Sequence, residues 1–470
     1  MKRAGLLTNG GDTCSLNALL MYARDALVDE GFTVYGFEGG YRGLIINKWR
    51  DITDVAIDPH SGGTFLLSLR DSPTPSPDEQ LKIDGLDERE KKEKNEWWKG
   101  KFDGALNTLK DNNIDLLVVL GGNGTIAATA DFAKKIPPKK KIKIICLPRT
   151  IDNDLDTHTK HYFQGRVIKT ALCPGYPSAA TKIVRAVRDL RTTSRSTERI
   201  FTIETMGRDA GWLALAASLG WADVVIIPEA NLVSDDNKNK DNRKGLDDKA
   251  PQKDIPIESL FQRVFDKYDE EYKKGDNPNV IIAVSEGIME NCVSVVEKNP
   301  LYGPRKISGA SDFINGKLKE YLEYLKMSGK KQYTVYPNIG KRDDSYSIFE
   351  EPEVRSQHTD YSPRMGKPCS YDVKLAELLA YKKLRMMLKD GMLKDEDPVK
   401  MLVLTRVLAE DELEKEGLNA TKAIDISEVN QKLLPVKDYY DTDLLTSKKE
   451  FDDFLYKIVG KGIETGCKKT

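Results

Sequence analysis

The sequence predicts an α/β protein with two doubly wound, Rossmann-like domains. Three units of strand, glycine loop and helix recur in one half of the chain, and a second βαβ rhythm starts afresh near Arg199. At 470 residues the chain is also too long for one core of ordinary size, so two domains or more are expected.

The first strand covers residues 5–8, before Asn9-Gly10-Gly11-Asp12-Thr13 and a helix with the apolar face Leu16, Leu19, Leu20, Ala23 and Leu27. A glycine pair between strand and helix leaves N–H groups free to hold a phosphate, although glycine is also the ordinary residue of a tight turn. A second strand at 32–37 ends at Gly39-Gly-Tyr-Arg-Gly43, and a further glycine turn, 61–64, delivers Arg70. Residues 71–100, with the charge run 87–94, read as a solvated surface helix or mobile insertion. A helix over 102–111 and a strand over 114–120 lead to the third glycine loop, Gly121-Gly-Asn-Gly-Thr125. Three such units point to a phosphate-rich ligand across one sheet edge.

The apolar run 142–146 is stopped by Pro148 and followed by Arg149-Thr-Ile-Asp-Asn-Asp154. It reads as a buried strand delivering Thr150, Asp152 and Asp154 to its carboxyl end, on one side of an extended segment, with Ile151 and Asn153 on the other. A hydroxyl and two carboxylates suit proton abstraction from an alcohol and the positioning of Mg²⁺. An isolated stretch of this kind reads equally as a solvated turn capping a helix.

Beyond it come a helix over 178–192, a strand over 199–204, the loop 206–211, a helix over 212–219 and a strand over 223–228 ending in Glu229. Residues 234–253 read as a disordered insertion, then a helix over 257–273 and a strand over 280–284 resume the fold. Residues 299–354 give no clear period. A helix over 370–388 follows, and the remainder is expected to be mostly helical and charged, with a lysine-rich tail.

The 73 basic and 74 acidic residues leave a net charge of −1, so no global field draws nucleic acid or anionic lipid, and neither a nucleic acid nor a membrane is an expected partner. Six cysteines without paired spacing and four histidines offer no zinc constellation, which suits a reducing cytoplasm. The N-terminus reads as a strand rather than a signal peptide, and no run approaches the ~20 apolar residues of a membrane span.

Taken in order, Gly10-Gly-Asp-Thr13, Gly39-Gly-Tyr-Arg-Gly43, Gly121-Gly-Asn-Gly-Thr125, Pro148-Arg-Thr-Ile-Asp-Asn-Asp154, Met206-Gly-Arg208, Pro228-Glu229 and Tyr361-Ser-Pro-Arg364 resemble the 6-phosphofructokinase A family over about residues 1–390. The resemblance implies two Rossmann-like domains with the active site in the cleft between them. It implies Mg²⁺-dependent phosphoryl transfer to the 1-hydroxyl of fructose 6-phosphate, the glycolytic step that gives fructose 1,6-bisphosphate. Residues 1–155 plus about 355–470 would bind the donor, and 156–354 the sugar phosphate. Asp152 then matches the general base, Thr150 and Asp154 hold the sugar and support the metal, and Arg70 and Arg208 meet the phosphoryl group in flight. Donor contacts fall on Gly10, Gly11, Tyr41, Arg70, Gly122, Asn123, Gly124, Thr125 and Arg149, and metal contacts on Asn123 and Asp154. Sugar-phosphate contacts fall on Thr150, Asp152, Asp154, Met206, Gly207, Arg208, Glu229, Tyr361 and Arg364. Arg199 and Arg355 match arginines that reach the 6-phosphate from a neighbouring subunit, which implies a homo-oligomer, dimer or tetramer.

Several positions depart from the family pattern of ATP users. Asn123 replaces an aspartate near the metal, Arg149 a glycine or lysine, and Cys14-Ser15 a Pro-Gly. Asn123, Tyr361 and Cys173-Pro-Gly-Tyr-Pro-Ser-Ala179 resemble the pyrophosphate branch. Gly124, however, lacks the carboxylate that in pyrophosphate users fills the space of the nucleotide α-phosphate. ATP is therefore the expected donor, with pyrophosphate the alternative; a catalytically weak regulatory subunit and a kinase of another sugar phosphate, such as sedoheptulose 7-phosphate, are further alternatives.

Overall fold

The structure is a computed structural model that describes residues 2–137, 142–233, 254–274, 277–289, 309–329, 352–391 and 399–459. The expected insertion 234–253, much of 299–354 and the lysine-rich tail lie outside the described residues. The chain forms two compact units, Met1–Thr181 with Ser362–Lys432 and Asp453–Thr470, and Lys182–Tyr361 with Leu433–Asp452.

The first unit is built on a seven-stranded sheet in the order Thr421–Asp425, Val399–Leu404, Lys143–Pro148, Leu116–Gly121, Lys2–Asn9, Phe32–Phe37 and Trp49–Asp51. The five middle strands are parallel and the two outer ones antiparallel. Leu116–Gly121 is buried at every position, as a parallel strand covered on both faces must be. From Lys2–Asn9 the chain moves to Phe32–Phe37 on one side and then returns to Leu116–Gly121 on the other, so the strand order reverses there. Open α/β sheets hold their ligands outside the carboxyl ends at such a reversal. Asn9 pairs with Gly121 and Gly121 with Pro148, which sets the ends of three strands in one row.

The charged stretch forms a surface helix, Glu88–Asp111, which takes in the helix expected over 102–111. The Asp87 carboxylate starts it by accepting the N–H groups of Arg89 and Glu90, and only its second half carries buried residues such as Ala105, Leu106 and Leu109. The expectation of a mostly helical C-terminal part fails at two places. The apolar run in Val399–Leu404 is a strand parallel to Lys143–Pro148, and Thr421–Asp425 closes the sheet edge beside it.

The second unit carries a four-stranded parallel sheet in the order Glu353–His358, Arg199–Thr205, Val280–Ser285 and Val224–Ile226. The unit boundaries differ from the expected 155 and 355. Residues 159–170 form a hairpin that joins the first unit, where the Lys160 N–H donates to Thr405 O at 2.9 Å and Lys160 O accepts from Val407 N–H at 2.9 Å. Residues 433–452 belong with the second unit, where the Tyr440 hydroxyl donates to Val225 O at 2.6 Å and Val225 N–H to Leu445 O at 2.7 Å.

Candidate active site

In the first unit the stretch after Pro148 is a tight turn. Asn153 has φ 52°, its Nδ2 donates to Ala171 O at 2.9 Å and its Oδ1 accepts the Cys173 N–H at 3.0 Å. Asparagine tolerates this left-handed conformation, so the expected extended alternation does not form. The turn still ties the three residues together at the Thr150 hydroxyl. The Thr150 hydroxyl accepts the Asp152 N–H at 3.0 Å and donates to Asp154 Oδ1 at 3.1 Å. Asp154 and Thr150 are buried, whereas Asp152 is half-buried. Thr150 N–H donates to Pro174 O at 3.1 Å, which ties the turn to the start of the helix Tyr176–Thr197.

That tie rests on a residue the sequence reading missed. The fully buried Asp372 carboxylate accepts the N–H groups of Gly175 and Ser178, each at 2.9 Å, and also the Ser178 hydroxyl. No local spacing signals this, because the partners stand 194 to 197 residues away.

The glycine loops occupy the same row of strand ends. Gly10 has φ 103° and donates its N–H to Leu69 O at 2.7 Å, so the segment leading to Arg70 runs alongside. Gly10, Gly11, Asp12, Thr64, Ser68 and Arg70 border an open depression of about 470 Å³, with Arg70 exposed. A Cβ at Gly11 would stand 2.6 Å from Arg364 Nη1 and 3.5 Å from Arg70 Nη2. The Arg364 guanidinium thus lies tight against the loop at this glycine, with that of Arg70 beside it. The helix Asn123–Lys135 opens after Gly122 with no side-chain cap, leaving its first N–H groups to an outside acceptor. Beside Gly124 nothing lies within 4 Å of a Cβ position.

Three residues expected at the donor are buried and bonded to the loops. Tyr41 is fully buried, its hydroxyl is 2.6 Å from that of Thr129 and its ring packs edge-on to Phe132, because its backbone N–H is held by Asn9 Oδ1 at 3.2 Å. The buried Thr125 hydroxyl donates to Asn9 O at 3.0 Å. The Arg149 side chain is folded beneath the first loop, donating to the carbonyls of Gly11 and of Asn9 (2.7 Å) and to Ser68 Oγ at 3.1 Å. Burial, and then the charges of Arg364 and Arg70, push this guanidinium down to about 9, so it stays protonated at neutral pH.

Arg364, expected on the sugar, is half-buried and its Nη1 donates to Asp12 O at 3.0 Å. The Cys14 thiol donates to Met365 O at 3.1 Å, a bond that proline at this position could not make.

In the second unit, Met206 and Arg208 are half-buried on a loop at the carboxyl end of Arg199–Thr205. Gly207 has φ 131°, its N–H donates to Glu286 Oε1 at 3.2 Å and its carbonyl accepts the Ser285 hydroxyl. A Cβ at Gly287 would fall 1.9 Å from Arg208 O, so only glycine lets the two loops approach. Glu229, an expected sugar contact, is 3% exposed and accepts the N–H groups of Gly211 (3.0 Å) and Leu434 (3.0 Å). Its carboxylate serves the packing of that unit. Tyr361 is 63% exposed. Arg199 and Arg355 come together on the Glu353 carboxylate at the amino end of their strands.

Against known proteins, the family profile described as Phosphofructokinase matches residues 3–387. The chain belongs to the phosphofructokinase family. Among its relatives, the ATP-dependent 6-phosphofructokinase 2 of Clostridium perfringens is 31% identical over 305 residues, 62% of this chain and 75% of that one. The ATP-dependent 6-phosphofructokinase of Aquifex aeolicus is 35% identical over 230 residues, 48% of this chain and 60% of the relative. The match therefore spans less than two thirds of some relatives. Two solved structures share the fold: the pyrophosphate-dependent phosphofructokinase of Marinobacter aquaeolei (TM-score 0.62, 16% identity, 98% of this chain and 92% of that one) and the phosphofructokinase of Saccharomyces cerevisiae (TM-score 0.57, 18% identity, 91% and 45%). No helix among the described residues is long and apolar enough to cross a membrane.

Proposed function

We propose that this member of the family transfers the γ-phosphoryl group of ATP to the 1-hydroxyl of fructose 6-phosphate. The observation that carries the reading is the row of strand ends in the first unit. It sets the Asp152 turn beside two glycine loops and an uncapped helix N-terminus at the reversal of one sheet. The helix N-terminus and the glycine N–H groups hold the donor phosphates. Asp152 takes the proton as the sugar O1 attacks the γ-phosphorus and the bond to the bridging oxygen breaks, releasing ADP. Thr150, whose hydroxyl accepts the Asp152 backbone N–H and donates to Asp154 Oδ1, fixes the backbone from which the Asp152 side chain projects. Arg70 and Arg208 balance charge on the equatorial oxygens.

Among the described residues no group of three or more His, Cys, Asp or Glu could hold a metal ion. The residues that would help hold Mg²⁺, beside donor phosphates and water, are the oxygen donors Asn123 and Asp154. When bound, it would neutralise phosphate charge; the protein's own part is to orient those two oxygens.

ATP is favoured by the open space at Gly124. Pyrophosphate remains the second reading, on the strength of Asn123 opening the helix in place of a carboxylate. Met206, Gly207 and Tyr361 contact the sugar phosphate. Arg199 and Thr205, the residue before Met206, are the two ends of one strand, roughly 20 Å apart at about 3.3 Å per residue. That span supports a homo-oligomer in which Arg199 and Arg355 serve the sugar phosphate of a second copy. Four buried or half-buried free thiols, Cys14, Cys146, Cys173 and Cys369, suit a reducing cytoplasm.

The test is Asp152→Asn. Turnover is expected to fall by about 10²- to 10⁴-fold while fructose 6-phosphate binding, measured by calorimetry, is kept. Unchanged turnover would remove Asp152 from its role.

A further inference from the structure

Arg199 and Glu353 stand opposite each other in register on neighbouring parallel strands, and Arg355 is two residues on, on the same face. Arg199 Nε donates to Glu353 Oε2 and Arg355 Nη2 to Glu353 Oε1, so both carboxylate oxygens are taken. Two cations share one anion, leaving a net positive charge. The cluster is reachable by solvent, with side chains 31% (Arg199), 59% (Arg355) and 41% (Glu353) exposed. Burial opposes ionisation of Glu353, but the hydrogen bonds and charges of Arg199 and Arg355 together outweigh it and hold the carboxyl below its usual range. Glu353 therefore stays charged near neutrality.

We infer that Glu353 is a built-in stand-in for a phosphate: it occupies Arg199 and Arg355 until a phosphate monoester displaces it. The inference rests on the reading that these two arginines bind the 6-phosphate. A phosphate dianion brings three oxygens and a second negative charge to the same pair of guanidinium groups, so it satisfies them more fully than one carboxylate. An exposed ion pair is weak, so displacement costs little, yet it lowers affinity by that cost. Once displaced, the Glu353 carboxylate also repels the incoming dianion. Glu353 is thus a residue that sets sugar-phosphate affinity without touching the reacting atoms.

The experiment measures fructose 6-phosphate affinity by calorimetry, and KM and kcat with ATP and Mg²⁺, for the full chain, Glu353→Gln, Arg355→Ala and the double variant. Removing the competing charge is expected to tighten binding and lower KM about two- to fivefold, with kcat unchanged. Arg355→Ala alone weakens binding, and in that background Glu353→Gln gains less. Unchanged or weaker binding in Glu353→Gln, with Arg355→Ala still damaging, overturns the stand-in role and leaves the arginine reading intact. If Arg355→Ala, and Arg199→Ala measured in the same way as a fifth protein, both leave affinity unaltered, the underlying reading falls and this inference with it. Equal melting temperatures across the variants exclude misfolding as the cause of any change.

Discussion

At the scale of single residues, the polar chemistry of the turn was readable and its geometry was not. Thr150, Asp152 and Asp154 do meet through the Thr150 hydroxyl, but the turn is shaped by Asn153, whose bonds go to Ala171 and Cys173. Tyr41, Thr125 and Arg149 carried motif positions, and motif position alone does not say whether a side chain faces a ligand or braces a loop. Arg149 shows the difference most clearly, since its guanidinium binds Asn9, Gly11 and Ser68 rather than open space. Arg149→Ala leaves those buried acceptors unmatched, at a cost of about 1–3 kcal/mol. The expected result is a lower melting temperature together with a donor KM raised about tenfold or more, while the sugar-phosphate KM moves little. Arg149→Lys should recover part of the stability, because an ammonium can reach some of the same oxygens. A donor KM unmoved in Arg149→Ala would show that the loop keeps its shape without this side chain.

Among the elements, long periodic runs were legible, and short polar strands and the strand Val399–Leu404 were not. The helix Ile257–Lys273 falls where its pattern predicts, and so does the strand Val280–Ser285. The hairpin of Thr159–Phe163 and Arg166–Thr170 was missed because its strands are short and polar, and its place is fixed by distant partners. One of these is the helix Lys449–Val459: His161, wholly buried in the hairpin, sets Nε2 2.9 Å from Asp453 Oδ2 on that helix, beside Phe454. Lys457 adds a cation at 2.9 Å. Burial raises the Asp453 carboxyl, but the hydrogen bonds from His161 and Lys457 outweigh it and hold the group below the usual range. A carboxyl depressed in the folded state stabilises above its ordinary pKa of about 3.9, and that contribution is lost as the pH falls through the lower folded value. Asp453→Asn should therefore melt below the unaltered protein at pH 6, with a smaller gap at pH 3. A gap of equal size at both pH values would mean that the ionised form contributes nothing.

For the whole molecule, two doubly wound units were legible because glycine loops recur at strand ends, a pattern that survives despite the charged insertions. The unit boundaries were not, since the chain leaves each unit and returns to it, and the strand Val399–Leu404 joins a sheet begun some 390 residues earlier. The family profile ends at residue 387, so the last two strands of that sheet lie beyond it. The donor is decided by the loop as a whole, where the open Gly124 and the uncharged Asn123 pull in opposite directions. Steady-state kinetics of the full chain with fructose 6-phosphate and Mg²⁺, offering ATP and pyrophosphate separately, tests the central claim most directly. The account predicts fructose 1,6-bisphosphate formed with ATP. Turnover with pyrophosphate alone would contradict the donor assignment, and no turnover with either at high enzyme concentration would contradict the proposed activity itself.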